Sequence, residues 1–204
     1  MMSLVNTTAI KAGSFISANE LVAIVDENDE FVKAASRKEM RLYNLIHRST
    51  VVIVYDYMKE AIFIHKRSAA KEWCPSHYDT GFGGVVNADE ICSENASREL
   101  FEEAHLQRSP DELEFLGKTY FGDNTTKVFT SNYVAFFDGE ADDLTPQAEE
   151  VQYIEKVPLQ VVQQRIDSGE LFVPQGIKAF SSIRKRLESI SSEKKFFLNA
   201  TPGH

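Results

Sequence analysis

Apolar alternation and helical spacing divide most of the chain into readable segments. "ELVAIVDENDEFVKAAS" places two β-rich runs around a polar cluster at Asp26–Glu30, the pattern of a hairpin. "SRKEMRLYNLI" changes period. Met40, Tyr43 and Ile46 fall on one helical face behind Ser36, a suitable N-cap, so a short helix is expected. "STVVIVYD" and "AIFIHKR" read as strands around a tight turn at Met58–Glu60. A loop containing Trp, Pro and Gly then runs from Ser68 to Gly84, and an acidic stretch follows it. "ELEFLGKTYFG" and "KVFTSNYVAFF" suggest a long antiparallel pair turning at Asp123–Thr125. A polar loop at Asp138–Glu149 precedes a short strand near Val151–Ile154. Two helices follow, "PLQVVQQRID" with Pro158 in its first turn and "PQGIKAFSSIRKRLESI". The weakly periodic residues 1–18 are read as a loose extension, and residues 191–204, ending "NATPGH", as a tail. Residues 19–190 are expected to form one α/β sandwich domain.

Composition narrows the class. The chain has 204 residues, 43% hydrophobic and 26% charged, enough for one soluble domain with a core. No apolar run approaches the ~20 residues that cross a bilayer, and the first residues lack a secretory pattern. With only two cysteines, Cys74 and Cys92, no disulfide framework is indicated, and a cytoplasmic setting is expected. The net charge of −9 argues against binding a nucleic-acid polymer. A small anionic substrate stays compatible with it, because a bound divalent cation can reverse the local sign.

The candidate chemistry lies in "GGVVNADEICSENASRELFEEAHL", residues 83–106. Glu99, Glu102 and Glu103 stand at i, i+3 and i+4, which places them on one face of a helix. Ala96, Leu100 and Ala104 form another face, suited to packing on a sheet. Three carboxylates on one face repel each other unless a cation sits among them, and a hard divalent ion with oxygen ligands is the natural counter-charge. Arg98 can pair with Glu90 and pin the preceding loop. Gly83 and Gly84 permit close backbone approach, including a carbonyl ligand from Gly83. The plain alternative is a solvated Glu-rich face, the commoner state of such helices. Gly84 and Glu90 at their fixed distances shift the balance toward a site.

These residues resemble the Nudix box, G-x5-E-x7-R-E-U-x-E-E-x-G-U, where U is bulky and aliphatic. Gly84, Glu90, Arg98, Glu99, Leu100, Glu102, Glu103 and Leu106 match, eight of nine specified positions, and His105 replaces the last glycine. The resemblance implies an α/β/α sandwich with a mixed sheet and a loop–helix–loop box. It also implies a Mg²⁺- or Mn²⁺-dependent hydrolase of a small-molecule diphosphate, with no organic cofactor. By position, Glu99, Glu102 and Glu103 would hold metal, with one of them or a loop glutamate as base. Arg98 would orient Glu99, and Glu90 would support them from behind. Glu149 and Glu150, ending a polar loop, are candidates for an extra carboxylate. Glycine at the box's end ordinarily takes a left-handed conformation, so His105 is expected to bear a cost of about 1 kcal/mol there. Asp89 is expected to cap the helix.

Beyond the box, "VDENDEFVKAASRKEM", "HRSTVVIV", "GGVVNADE" and "FVPQGIKAF" resemble the subgroup related to isopentenyl-diphosphate isomerase, particularly the YfcD-type hydrolases, over roughly residues 20–187. The isomerases use a cysteine in the loop before the box. In "WCPSHYDTGFGG", alignment on Trp73 puts Phe82 there, and a phenyl ring cannot exchange a proton with an alkene. Hydrolysis is therefore the leading reading; an isomerase and a noncatalytic diphosphate-binding module are the alternatives. Cys74 and His77 form a C-x-x-H pair with no further zinc-spaced partner. His47 is read as a structural, hydrogen-bonded residue, and His65 is given no role. Trp73, Phe82 and Tyr120 are candidate pocket walls. The hairpin Asn19–Ala35 is a candidate homodimer edge.

Overall fold

The computed structural model describes residues 19–200, with side chains as far as Phe196. Residues 1–18, expected as an extension, lie outside the described residues. A mixed sheet of eight strands runs through the molecule: β1 Leu21–Val25, β2 Phe31–Ser36, β3 Ile46–Asp56, β4 Ala61–Arg67, β5 Tyr78–Asp79, β6 Glu114–Gly122, β7 Lys127–Phe136 and β8 Val151–Pro158. Among the described residues, four α-helices flank it: α1 Arg37–Leu42, α2 Cys92–Ala104, α3 Leu159–Asp167 and α4 Pro174–Ala200.

β3 is the organising strand. Its "VVIVY" run is buried on both faces, as expected of a strand covered by helices on each side. Val51, Ile53 and Tyr55 face α3 and α4, packing with Leu159, Val162, Phe180 and Leu187. Val52 and Val54 face α2, packing with Ala96, Leu100 and Ala104. The apolar stripe anticipated on the acidic helix thus closes one layer of an α/β/α sandwich.

The edges of β3 position the site. One edge pairs in parallel with β7 over ten residue pairs, Ile46↔Lys127 to Tyr55↔Phe136. The other edge meets β1 at His47 and β4 only from Val54 onward. The loop before α2 fills the gap between them. Val52 N–H donates to Phe82 O at 2.7 Å, Phe82 N–H to Val52 O at 3.0 Å and Thr50 N–H to Gly84 O at 2.9 Å. This explains the glycines. A Cβ on Gly83 would lie 2.0 Å from Thr50 O, and one on Gly81 2.6 Å from Val52 O.

Several local expectations are corrected. Ser36 does cap α1, accepting from Glu39 N–H at 3.1 Å, but the helix ends at Leu42 and Ile46 begins β3. Its pairing with β7 outweighs the local helical period. Tyr43 is consequently exposed, and only Met40 of the proposed helical face is buried within α1. β8 extends to Pro158 because β4 pairs with it along its whole length. The tail expected from residue 191 is instead helical to Ala200, as α4 continues unbroken. Ile190 and Ser191 are buried there, and Ser191 Oγ donates to Tyr57 O.

Candidate active site

α2 begins after Ile91, which makes no side-chain cap. Asp89 lies in the turn closed by Glu90 N–H to Asn87 O, so the anticipated Asp89 cap does not form. Asn95, not singled out from sequence, ties the entrance together. Its amide donates to Val85 O at 3.1 Å and to Glu90 Oε2 at 2.8 Å, and its oxygen accepts from Thr50 Oγ1 at 2.5 Å. An Asn inside a helix pattern carries no signal by itself; its three partners come from β3 and from the loop before α2. The helix ends at His105, with φ 52° and ψ 25°, the left-handed conformation that the position demands.

Arg98 forms a fork on Glu90, with Nε to Oε1 at 2.9 Å and Nη2 to Oε2 at 3.0 Å. Its remaining nitrogen, Nη1, lies 3.1 Å from Glu99 Oε1 and 3.0 Å from Glu102 Oε2. Burial alone would raise Glu90, but the Arg98 and Asn95 bonds outweigh it and hold this carboxyl below its usual range. Arg98 is thereby fixed as a cation that positions Glu99.

The three aligned glutamates do not behave alike. Glu103 is buried at 2% exposure and accepts from Gly83 N–H at 3.0 Å. Glu99 is largely buried beneath Gly84, where an added Cβ would fall 2.4 Å from its Oε1. Glu102 is half-exposed and paired with Arg98, unlike the two buried glutamates. Among the described residues no three His, Cys, Asp or Glu converge as a ready metal cage. Burial pushes Glu99 up to about 7, with Arg98 opposing it and Glu102 and Glu150 reinforcing it. Burial also drives Glu103 well above its normal value, against the pull of Lys71 and with the help of Glu99 and Glu150.

Glu150 joins from the loop after β7, while Glu149 is exposed. The loop docks on the end of α2: Thr145 N–H donates to Ala104 O at 3.1 Å and Gln147 N–H to Glu103 O at 3.2 Å. His105 Nδ1 lies 3.2 Å from Thr145 O, so the residue replacing glycine also contacts this loop. Orphan carbonyls at the helix end thus recruit the extra carboxylate. Glu150 is ion-paired with Lys71 and lies within electrostatic reach of Glu103. Burial would raise Glu150, yet Lys71 prevails and holds it low.

The remaining candidates separate clearly. Phe82 is fully buried and stacks on His65 with ring centroids 5.0 Å apart, so it is core beneath the site and not a pocket wall. Its burial also removes it from any proton transfer to a ligand. Trp73 is half-buried, and Tyr120 is exposed on β6 against Phe129. Burial raises the Cys74 thiol, which disfavours it as a nucleophile. His77 Nδ1 sits 2.9 Å from Pro75 O, within the same turn. His47 Nδ1 binds Leu45 O at 3.1 Å, as a structural histidine does.

Neither ring nitrogen of His65 has a hydrogen-bond partner, and burial pushes its value down to about 3, while His47 falls to about 4. A depressed histidine stabilises the fold fully above its unfolded value near 6.5, and the contribution drains away as pH falls toward the folded value. The raised values of Glu99 and Glu103 work in the opposite direction, Glu99 between about pH 4.5 and 7. His65→Phe is therefore expected to recover about 2–3 kcal/mol of the stability lost between pH 6.5 and 4.5. Urea unfolding at a series of pH values measures this, and an unaltered pH slope would mean that the native ring is protonated as readily as the unfolded one.

The comparisons with known proteins agree with this geometry. A family model described as the NUDIX domain matches residues 45–172. An uncharacterized Nudix hydrolase, SCO1686 of Streptomyces coelicolor, is 34% identical over 84% of this chain and 92% of its own length. The uncharacterized Nudix hydrolase YfcD of Escherichia coli K12 is 32% identical over 84% and 90%. Among solved structures, DR0079 of Deinococcus radiodurans superposes with a TM-score of 0.65 at 23% identity, over 81% of this chain and 98% of that one. The NUDIX domain of Shewanella oneidensis NrtR, complexed with ADP ribose, gives 0.54 at 18% identity over 75% and 99%. With its box, its sandwich and these relatives in agreement, the chain belongs to the Nudix family of hydrolases.

Proposed function

We propose that the protein hydrolyses the diphosphate bond of a nucleoside-diphosphate derivative or related small molecule, using Mg²⁺ or Mn²⁺. The observation that carries this is the pair Glu99 and Glu103, two desolvated carboxylates one helical turn apart beneath a glycine pair. Oxygen-only anionic donors suit a hard divalent cation. Glu150 would be a third donor, the Gly83 carbonyl a fourth, and Glu102 would enter by leaving Arg98. When bound, the cation would neutralise phosphate charge and lower the pKa of the attacking water.

The chain supplies the rest. Arg98, clamped by Glu90, holds Glu99 in place, and the neighbouring Glu103 and Glu150 carboxylates provide oxygens to receive the water's proton. Water adds at one phosphorus, the bridging P–O bond breaks, and two phosphorylated products leave. Arg41 lies within electrostatic reach of Arg37 and Arg67, and Arg37 also acts on Glu99 and Glu150. Positive charge near the glutamates on a chain of net charge −9 supports an anionic substrate.

The test is a panel of nucleotide sugars, ADP ribose, dinucleotides and isoprenoid diphosphates, assayed with Mg²⁺ and Mn²⁺. Metal-dependent release of a phosphorylated product, abolished by chelator, is expected. Tight binding without turnover across the panel would make the protein a diphosphate-binding module instead. On the substrate it cleaves, Arg98→Lys is expected to lower kcat/KM by about 10–100-fold, because an ammonium cannot reproduce the fork on Glu90. A value within twofold of wild type would remove Arg98 from this role.

A further inference from the structure

The carboxylates of the site already hold a cation of the chain's own. Lys71 is largely buried, its ammonium is paired with Glu150, and Glu150 lies within electrostatic reach of Glu103. The loop bearing Lys71 is also tied to the same glutamate through the backbone: Ser68 N–H donates to Glu150 O at 2.8 Å, and Lys71 N–H closes the turn onto Ser68 O at 3.3 Å. A divalent cation taking Glu103 and Glu150 oxygens would need the lone pairs that face Lys71, and two positive groups repel strongly in a site this poorly hydrated.

We infer that Lys71 is a displaceable counter-ion of the metal site, exchanging with the divalent cation for Glu150 and Glu103. The inference rests on the metal-dependent reading above. Lys71 thus sets metal affinity as a competitor and couples the Ser68–His77 loop to metal occupancy. The exchange accounts for the geometry: Glu150 is turned to Lys71 and Glu102 to Arg98, so each must release a chain cation before the donors converge. The loop keeps its frame when Lys71 lets go. Arg67 donates to Trp73 O at 3.1 Å and Cys74 O at 3.3 Å, and Arg41 pairs with Glu72 to bind the loop to α1.

Mn²⁺ binding to the full chain, followed by electron paramagnetic resonance of the free ion, tests this. Lys71→Met is expected to bind Mn²⁺ about tenfold more tightly than wild type, Lys71→Arg about as wild type, and Glu103→Gln far more weakly. Equal or weaker binding by Lys71→Met, when wild type binds, overturns the exchange and leaves the metal reading standing. Wild type that takes up no Mn²⁺ at millimolar concentration overturns both. A second readout needs no variant: adding Mn²⁺ to wild type should speed amide exchange at Ser68 and Lys71. Unchanged or slowed exchange there counts against the release of Lys71.

Discussion

Glu103→Gln is expected to lower kcat by about 10³-fold or more while leaving the fold at least as stable as wild type. Glutamine has nearly the same shape, and its carbonyl can accept the Gly83 N–H that now bonds to Glu103 Oε2. Its amide can donate toward the Glu150 carboxylate, which acts on this position electrostatically. Loss of the negative charge relieves repulsion by Glu99 and Glu150 in a fully buried position. The same change removes an anionic metal donor and a proton acceptor. Turnover under saturating Mg²⁺, together with urea unfolding in chelator, reads both halves. Activity within tenfold of wild type would remove Glu103 from the chemistry.

Gly83→Ala is expected to destabilise the protein by about 3 kcal/mol or more, a drop of roughly 10 °C in Tm. The added methyl would meet Thr50 O at 2.0 Å and Val51 Cα at 3.0 Å, and both atoms belong to the β3 backbone. That strand cannot yield, because its far edge is pinned to β7 over ten residue pairs. Gly84→Ala makes the instructive contrast. The three atoms nearest its methyl all belong to the Glu99 carboxylate, the first 2.4 Å away, and a side-chain end can swing aside. This variant should fold near the wild-type Tm and lose activity, because Glu99 leaves its place beside Arg98. Thermal melts and turnover on the two variants test the pair. The reverse ranking of stabilities would mean that Gly83 does not lie against β3.

Some of this molecule is written locally. A period of two, broken by short polar turns, is enough to mark the β1–β2 hairpin and the β6–β7 pair. The turn at Asp123 is built by its own side chain, which accepts from Thr125 N–H at 2.6 Å and Thr126 N–H at 2.9 Å. The Arg98–Glu90 link is legible from box spacing, and the left-handed end at His105 from the glycine that usually stands there. These features depend on backbone conformation, or on residues within about a helical turn or one short loop.

Other features depend on segments far apart in the chain, and no local pattern carries them. Ile46 fits a helical face by spacing, yet it pairs with Lys127. Helical spacing alone treats Glu99, Glu102 and Glu103 as equals. Only the packed glycine loop and Arg98 leave two of them buried and the third in solvent. Glu150 reaches the site because a distant loop satisfies the carbonyls at the end of α2, and Lys71 because a second loop is tied to Glu150. The sequence by itself therefore determined the elements, the box and the class of chemistry, all set by short-range covalent geometry and side-chain periodicity. The tertiary structure alone decided which carboxylates lose water and which cation they face, because desolvation and Coulomb forces act between groups that only folding brings together.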